Sequence, residues 1–321
     1  MAFDATSVGN LTDRINQDID NLYFGTMEFN HTLGRDLSAL TVFTNVKGNN
    51  QRLLTGSVGV NLKAADCSFA DGATDDTFTE ISIPLRDLEI NKEWCIRDLE
   101  DSYLNGRLSA GQRYEGLEGW ESDIVGETVK GIVNTNEGLV WTGTDAAGSA
   151  RGIKTYVDAN LASCLGGAAV GTTAITNANA YDQVKLMVRT AINGDEVLGE
   201  AIRMGGASLW CDPQIHYAYL EDYQATVGNA GNVNAENVNR GGVPMIDGTM
   251  CAFRPVSGLY GTGDMYLTFD GNFVVATDLL SDARDFRLYM DQDGKNVRGW
   301  TQYKLGAGAY DLGKVAAYVV A

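Results

Sequence analysis

The side chains best suited to catalysis or metal binding are few and far apart in this sequence. It contains two histidines, His31 and His216, and five cysteines, none of them paired at two-residue spacing. Zinc sites and hydrolytic triads need such groups in defined combinations, so most of these chemistries lack their parts. His216 follows Asp212 and Pro213 at a predicted helix start, and we interpret it as a half-buried structural histidine. His31 is equally isolated.

The cysteines are odd in number and dispersed along the chain. They are Cys67, Cys95, Cys164, Cys211 and Cys251. In a chain of this length the pattern indicates free thiols in reducing conditions, mostly small core residues, rather than a disulfide framework. The N-terminus has neither the basic nor the apolar region of a signal peptide. We therefore expect an intracellular protein without a redox role.

Three glycine-rich or acidic segments only partly resemble ligand-binding loops. Segment 166–171 lacks the Lys-Ser/Thr of a phosphate loop, and we interpret it as a flexible linker. Segment 291–296 begins like a calcium loop, but its glycine stands fourth and no glutamate follows at the twelfth place, so a hairpin turn at Asp293-Gly294 is favoured. The aspartates of segment 66–76 indicate a solvated loop tip. The sequence thus predicts no enzyme, metal site or cofactor, although a hydrolase that uses carboxylates alone stays open.

Charge and hydropathy exclude two further classes of protein. The 321 residues include 42 acidic and 24 basic side chains, for a net charge of −18. Affinity for nucleic acid comes from Lys and Arg that neutralise phosphates, so this chain is expected to enclose DNA at most, without gripping it. The longest apolar run, 315–321, is far shorter than the roughly 20 residues of a transmembrane helix. The composition is that of a folded chain with one large domain or two ordinary ones.

Two segments in the first quarter of the chain have apolar faces that they cannot cover by themselves. Residues 10–23 place Leu11, Ile15 and Ile19 at helical spacing opposite polar residues, which predicts a short amphipathic helix. Residues 52–85 change to period two, around an acidic stretch at 64–76. Their alternating apolar positions are Val58, Val60, Leu62, Ile81, Ile83 and Leu85. We expect a two-stranded ribbon, which needs a platform on its own chain or on a neighbouring copy.

The remainder predicts a mixture of helices and strands without a βαβ repeat, so the expected fold class is α+β. Helices are expected from Asn91 through Trp94, Cys95, Leu99 and Tyr103, from Trp120 to Glu137, over 179–191, and after an Asp212-Pro213 cap. A glycine-punctuated turn is expected over 139–152 and an exposed asparagine-rich loop over 227–242. Strands are expected at 207–210, 243–246, 265–269, 273–276, on both sides of 291–296, and from Val315.

The order of these elements resembles that of a known family over nearly the whole chain. The series is a ribbon, a long helix ending in Leu139-Val140-Trp141-Thr142-Gly143, a glycine turn, a helix at 179–191, Ser208-Leu209-Trp210-Cys211-Asp212-Pro213 with its helix, Gly242-Val243-Pro244-Met245, and an antiparallel C-terminal sheet. It is similar to the major capsid protein of tailed phages, the Hong Kong 97 fold. The segment from Ile83 to Cys95 further resembles capsid proteins of the crAss-like phage group.

This resemblance implies a division of the subunit into named parts. They are an N-terminal arm (1–50), an extended E-loop hairpin (51–84), a peripheral domain (85–165) with a spine helix at about 120–137, an axial domain (166–269), and return strands of the peripheral domain (270–321). Because the chain begins almost at the arm, we expect a separate scaffold protein, or none.

The resemblance also implies function and partners. Hexamers and pentamers of this chain would form an icosahedral or prolate shell around double-stranded DNA, assembled in the cytoplasm of the bacterial host and present in the virion. Portal, scaffold and decoration proteins are the further partners. The candidate contacts between subunits lie in the arm, the ribbon and the asparagine-rich loop: Leu11, Ile15, Ile19, Arg52, Val58, Val60, Leu62, Lys63, Ile81, Asn229, Asn232, Asn234 and Arg240.

Two other readings are kept. A nanocompartment shell of the encapsulin type has the same fold, and an enzyme cargo with a pocket for a cargo peptide would distinguish it. A glycan-binding module of a phage fibre or adhesin would explain the tyrosine and tryptophan content, but it would explain neither the long helix nor the absence of repeats.

Overall fold

The architecture below is that of a computed structural model. It describes residues 39–44, 46–57, 77–95, 131, 134–227, 239–240, 243–278, 287–290 and 296–320. The predicted helix at 10–23, the acidic stretch, the first part of the helix from Trp120 and the turn at Asp293-Gly294 lie outside these residues.

The described part contains strands and helices in mixed order. The strands are β1 (Thr41–Phe43), β2 (Asn50–Ser57), β3 (Thr77–Pro84), β4 (Arg86–Cys95), β5 (Ala207–Cys211), β6 (Asn239–Arg240), β7 (Val243–Pro244), β8 (Ala252–Pro255), β9 (Met265–Phe269), β10 (Phe273–Thr277), β11 (Arg287–Met290), β12 (Asn296–Ala309) and β13 (Ala316–Tyr318). The α-helices are α1 (134–142), α2 (Ile153–Ala159), α3 (Ala180–Gly194), α4 (Glu196–Met204) and α5 (Pro213–Val227). The fold is α+β, as expected.

Strand β12 organises the first sheet. It pairs antiparallel with β4 along one edge, over Asn296 to Leu305, and with β11 and then β10 along the other edge. Strand β1 adds to β10 in parallel. The second sheet has the order β13-β9-β5-β8, and β2 pairs with β3 in a separate two-stranded ribbon.

The second sheet separates two hydrophobic cores. Alternate residues of a strand point to opposite faces, and in β5 Trp210 joins the first core whereas its neighbour Leu209 joins the second. Tyr266 and Leu267 of β9 divide in the same way. All five residues of β5 are buried, because a strand covered on both faces needs an apolar run rather than alternation. The predicted buried strand at 207–210 is confirmed.

The first core centres on an aromatic contact between α1 and both sheets. The Trp141 ring lies 5.4 Å from the Trp210 ring and 5.9 Å, edge-on, from the Phe273 ring. All three side chains are almost fully buried. The helix was expected to end at Glu137, but it continues to residue 142. The additional turn carries Trp141, whose burial stabilises it. The cost of about 1 kcal/mol for Gly138 inside a helix is smaller than the gain from burying a tryptophan.

The second core lies between α3, α4, α5 and the second sheet. Helix α3 confirms the prediction for 179–191 and buries Val184 and Val188. The predicted Asp212-Pro213 cap is also confirmed: Asp212 Oδ1 accepts a hydrogen bond from the Gln214 amide (2.9 Å), and α5 begins at Pro213. The predicted strands at 265–269 and 273–276, and the two strands around 291–296, are present as well.

Two predictions are wrong. The first residues of the helix expected from Asn91, 91–95, lie in strand β4 instead. This strand pairs along its whole length with β12, where the Glu93 carboxylate accepts from Arg298 Nε (3.1 Å). Leu99 and Tyr103 of that prediction lie outside the described residues. Tertiary pairing here outweighs the helical preference of a charged segment. The segment at 166–171 is not a flexible linker, because the Val170 amide donates to Ala317 of β13 (2.7 Å) and Gly171 accepts from Val319 (3.2 Å).

The chain after α1 turns back through two glycines. The Gly152 amide donates to the Gly143 carbonyl (2.9 Å). A Cβ at Gly143 would lie 2.1 Å from the Ala150 carbonyl oxygen, and one at Gly152 would lie 2.5 Å from that of Trp141. The predicted glycine turn is therefore present, but it begins at Gly143 and not at 139.

We expect Gly143→Ala to lower the free energy of unfolding by about 1–3 kcal/mol, because the added methyl group would displace backbone. The matched change Gly138→Ala, in α1, meets nothing within 4 Å and should raise it by about 0.5–1 kcal/mol. Urea unfolding measures both. A Gly143→Ala midpoint equal to that of the parent chain would contradict the close approach.

Candidate interaction surfaces

The ribbon of β2 and β3 has one face directed at the protein body. Directly opposite residues of an antiparallel pair share a face, and Leu53 stands opposite Ile81, with Ile83 on the same side. Leu53 and Ile83 are buried in a small cluster with Val274 and Ala276 of β10. The predicted ribbon is confirmed for its paired base.

Close backbone contact holds the base of the ribbon on the first sheet. A Cβ at Gly306 of β12 would lie 2.3 Å from the Pro84 carbonyl oxygen. The Leu85 amide donates to the Asn49 carbonyl (2.8 Å), which closes the ribbon where it meets β4. Arg151 Nη2 donates to the Ser82 carbonyl (3.4 Å). The ribbon is thus fixed to the body at its base.

The opposite face of the ribbon carries two exposed apolar side chains. Leu54 is 68% exposed and Phe78 is 61% exposed. Leu54 stands opposite Glu80, and Phe78 is two residues from Glu80 on the same strand, so the two apolar groups are diagonal neighbours. Arg52 lies on this face too, where its Nη1 is 3.2 Å from Glu80 Oε1. We call this the outer ribbon face.

The sequence-predicted contact residues are placed as follows. Arg52 lies on the outer ribbon face, and Ile81 lies half-buried on the inner face. Arg240 pairs through its backbone with Val243. The others lie outside the described residues: Leu11, Ile15, Ile19, Val58, Val60, Leu62, Lys63, Asn229, Asn232 and Asn234.

The sequence analysis did not predict Leu54 and Phe78 as contact residues, although the sequence contains a signal for Phe78. Phe78 has the same parity as Glu80 and Ser82, which alternate with Ile81 and Ile83. An aromatic residue on the polar parity of a strand predicts an exposed apolar group.

A second exposed apolar group lies on and beside α4. Val197 is 63% exposed and Met204 is 74% exposed, and residues seven apart lie on the same side of a helix. Met250 is 37% exposed, and its Cβ would be 3.6 Å from a Cβ at Gly205, next to Met204. We call these three side chains the α4 patch.

Burial shifts the pKa of several titratable groups of the described residues. The His216 ring packs against Phe253, with centroids 5.0 Å apart, and burial lowers the pKa of His216. The histidine is half-buried, as predicted. Burial also raises the pKa of Cys164 to about 11, followed by a smaller effect of Asp158, which keeps that thiol protonated at neutral pH. The four described cysteines are free, and no group of three or more His, Cys, Asp or Glu among the described residues is placed to hold a metal.

A cavity of about 340 Å³ lies beside the start of α5. Three of the polar side chains that line it, those of Asn177, Asp212 and Glu221, have partners within the chain. Asp212 accepts from Gln214 and, through Oδ2, from the Gly263 amide (3.1 Å), and Glu221 accepts from Asn177. This pairing serves the cap of α5 and the loop before β9.

A partly buried ionic cluster joins α2 to the start of β9 and to the C-terminal residues. Lys154 Nζ of α2 is 2.6 Å from Asp158 Oδ2 and 2.6 Å from Asp264 Oδ2. Asp264 Oδ1 accepts from the Val320 amide (2.9 Å), and Tyr266 Oη donates to Asp158 (3.0 Å). Burial by itself would lower the pKa of Lys154, but the bonds to the two aspartates outweigh it and raise that pKa. The ammonium therefore stays charged, and it pairs with the same Asp264 carboxylate that binds the Val320 amide.

Solved structures of similar fold come from phage capsids. The chain matches the capsid of Ralstonia phage GP4 (TM-score 0.56, 11% identity, 88% of this chain and 87% of that one). It also matches the procapsid of satellite phage P4 including size determination (Sid) protein (0.55, 12%, 94% and 90%) and the capsid of Myoviridae phage XM1 (0.53, 13%, 89% and 91%). No protein-family model and no curated protein matches the sequence.

The chain therefore has the fold of phage capsid proteins, of the Hong Kong 97 type, as the resemblance implied. In the described part, no helix has the length and apolar character needed to cross a membrane. The finer resemblance to crAss-like phages stays a prediction.

We expect Lys154→Met to lower the free energy of unfolding by about 3–5 kcal/mol, because it leaves the buried Asp264 carboxylate without its cation. Arg52→Met is the matched control: it removes the exposed Glu80 pair and should cost about 1 kcal/mol or less. Urea unfolding at pH 7 compares the two. Equal losses would show that the cluster does not stabilise the fold as an ion pair.

Proposed function

We propose that this protein is the major capsid protein of a tailed phage and assembles with copies of itself into a closed shell. The observation that carries this proposal is the match of fold to phage capsid structures over about nine-tenths of both chains. The solved structures that the chain resembles are those of phage capsids.

The outer ribbon face supports this proposal on physical grounds. Leu54 and Phe78 are exposed on a ribbon whose other face is already seated on the body. An exposed apolar group of this kind, rimmed by the Arg52–Glu80 ion pair, is typical of protein–protein contacts. A second copy of the chain is the occupant that a closed shell supplies, and it supplies one for every ribbon.

The parts of the subunit are proposed with the boundaries given by the resemblance. They are the arm (1–50), the E-loop (51–84), the peripheral domain (85–165 and 270–321) with its spine helix, and the axial domain (166–269). The second sheet and helices α3, α4 and α5 fall within the proposed axial domain, apart from β13. Hexamers and pentamers would use the arm, the ribbon and the asparagine-rich loop as contacts in the shell.

The charge of the chain suits a container for DNA. With a net charge of −18, a shell wall repels phosphates and leaves packaged double-stranded DNA free to be spooled and released. Portal, scaffold and decoration proteins would be its partners in the virion, and assembly would take place in the cytoplasm of the host.

We expect the isolated protein to leave duplex DNA unshifted in a mobility assay at low salt, because acidic side chains outnumber basic ones. Retention of DNA that survives high salt would contradict the proposed non-binding wall.

The assembly proposal is tested by electron microscopy of the purified chain over a range of concentrations. The parent protein should give polyhedral particles or hexameric rings. Leu54→Asp with Phe78→Asp should abolish both, because two carboxylates would then have to be buried in the contact. Its free energy of unfolding in urea should stay within about 0.5 kcal/mol of the parent value, as expected for substitutions at exposed positions.

The matched control keeps the same positions apolar: Leu54→Met with Phe78→Leu should still assemble. A parent chain that stays a monodisperse monomer at high concentration would overturn the capsid proposal. Normal particles from the double aspartate variant would remove the outer ribbon face from the contact.

A further inference from the structure

The described chain starts next to the end of α4. Ala39 accepts a hydrogen bond from the Gly271 amide (2.9 Å), in the turn between β9 and β10. The neighbouring Asp270 amide donates to the Gly206 carbonyl (2.9 Å), two residues after the last residue of α4. Ala39, the first described residue, therefore lies near the C-terminal end of α4.

The α4 patch begins at that place. Met204 is the last residue of α4, and Gly205 ends the helix in the left-handed conformation (φ 93°). The Met250 amide donates to the Ile202 carbonyl (3.2 Å), which fixes Met250 beside the same end. Val197 lies two turns back, so the patch spans about 10 Å along the helix. It consists of apolar side chains on a surface otherwise occupied by Glu196, Glu200 and Arg203.

The preceding segment has a matching apolar stripe. Leu11, Ile15, Ile19 and Leu22 recur at helical spacing in residues 10–23. The connecting residues 24–38 can reach about 50 Å at ~3.3 Å per residue, which exceeds the distance along α4. A connection of that length holds the stripe near the patch at an effective concentration in the millimolar range.

We propose that, in the unassembled subunit, residues 10–23 dock as an amphipathic helix on the α4 patch of their own chain and cover Val197 and Met204. The own-chain site is favoured because Ala39 lies near the C-terminal end of α4. Docking removes two apolar surfaces from water at once, the stripe and the patch. It goes beyond the proposed function and rests on it in one respect: the shell contacts proposed for Leu11, Ile15 and Ile19 require release of the docked helix.

Oxidation of Met204 by hydrogen peroxide tests this docking on the full chain. Thioether oxidation follows exposure, and peptide mapping by mass spectrometry resolves Met204 from the buried Met187 and Met265, which report on folding. The protein is diluted until sedimentation shows only single subunits. This measurement does not depend on whether the chain forms shells at higher concentration.

The variant Ile15→Asp with Ile19→Asp should oxidise at Met204 about tenfold faster than the parent chain, since a docking preference of about 1.4 kcal/mol is a tenfold ratio of populations. The control Gln17→Asp with Asn21→Asp adds the same charge away from the stripe and should behave as the parent chain does. Val197→Asp should also speed Met204 oxidation, because it changes the patch and leaves the segment intact.

Equal oxidation rates in the parent chain and the stripe variant would overturn the proposal. Protection that disappears on dilution would also overturn it, because the covering segment would then come from another copy. Failure of the parent chain to form particles would overturn the capsid proposal alone and would leave the oxidation result standing.

Discussion

Within the described residues, the ribbon of β2 and β3 buries one of its two faces on its own chain and exposes apolar side chains on the other. Leu53 and Ile83 take up the space above Val274 and Ala276, and the missing Cβ of Gly306 lets β12 approach the ribbon backbone. Strand alternation then forces Leu54 and Phe78 outward. The pairing that stabilises the base of the ribbon thus leaves these two apolar side chains exposed in the described part of the chain.

The body beneath the ribbon is rigid for a related reason. One sheet is buried on both faces and divides two cores, so movement of either core must distort the same strands. The Trp141–Trp210–Phe273 contact fixes α1 to both sheets on one side. Such tight packing can hold the ribbon in one orientation, which the proposed shell of repeated copies would require.

Two buried aspartates, Asp212 and Asp264, have structural roles in the described part of the chain. Asp212 caps α5 and holds the loop before β9, and Asp264 joins Lys154 to the C-terminal residues. Each carboxylate is buried and has its oxygens engaged in the chain. Buried charges that are fully paired stabilise or specify a fold, whereas catalysis needs groups that remain available to a substrate.

The sequence by itself determined the α+β class, the ribbon, helix α3, the buried strand at 207–210 and the Asp212-Pro213 cap, because each depends on local periodicity or on capping chemistry within a few residues. Only the tertiary structure decided that 86–95 is a strand, since its partner β12 lies about 200 residues away and long-range pairing overrides local preference. It also decided that α1 runs on to bury Trp141, that 166–171 is bonded to the last strand, and that Leu54 and Phe78 face outward. These outcomes depend on contacts between residues that are far apart in the sequence. Periodicity and capping rules use only neighbouring residues, so they cannot predict such contacts.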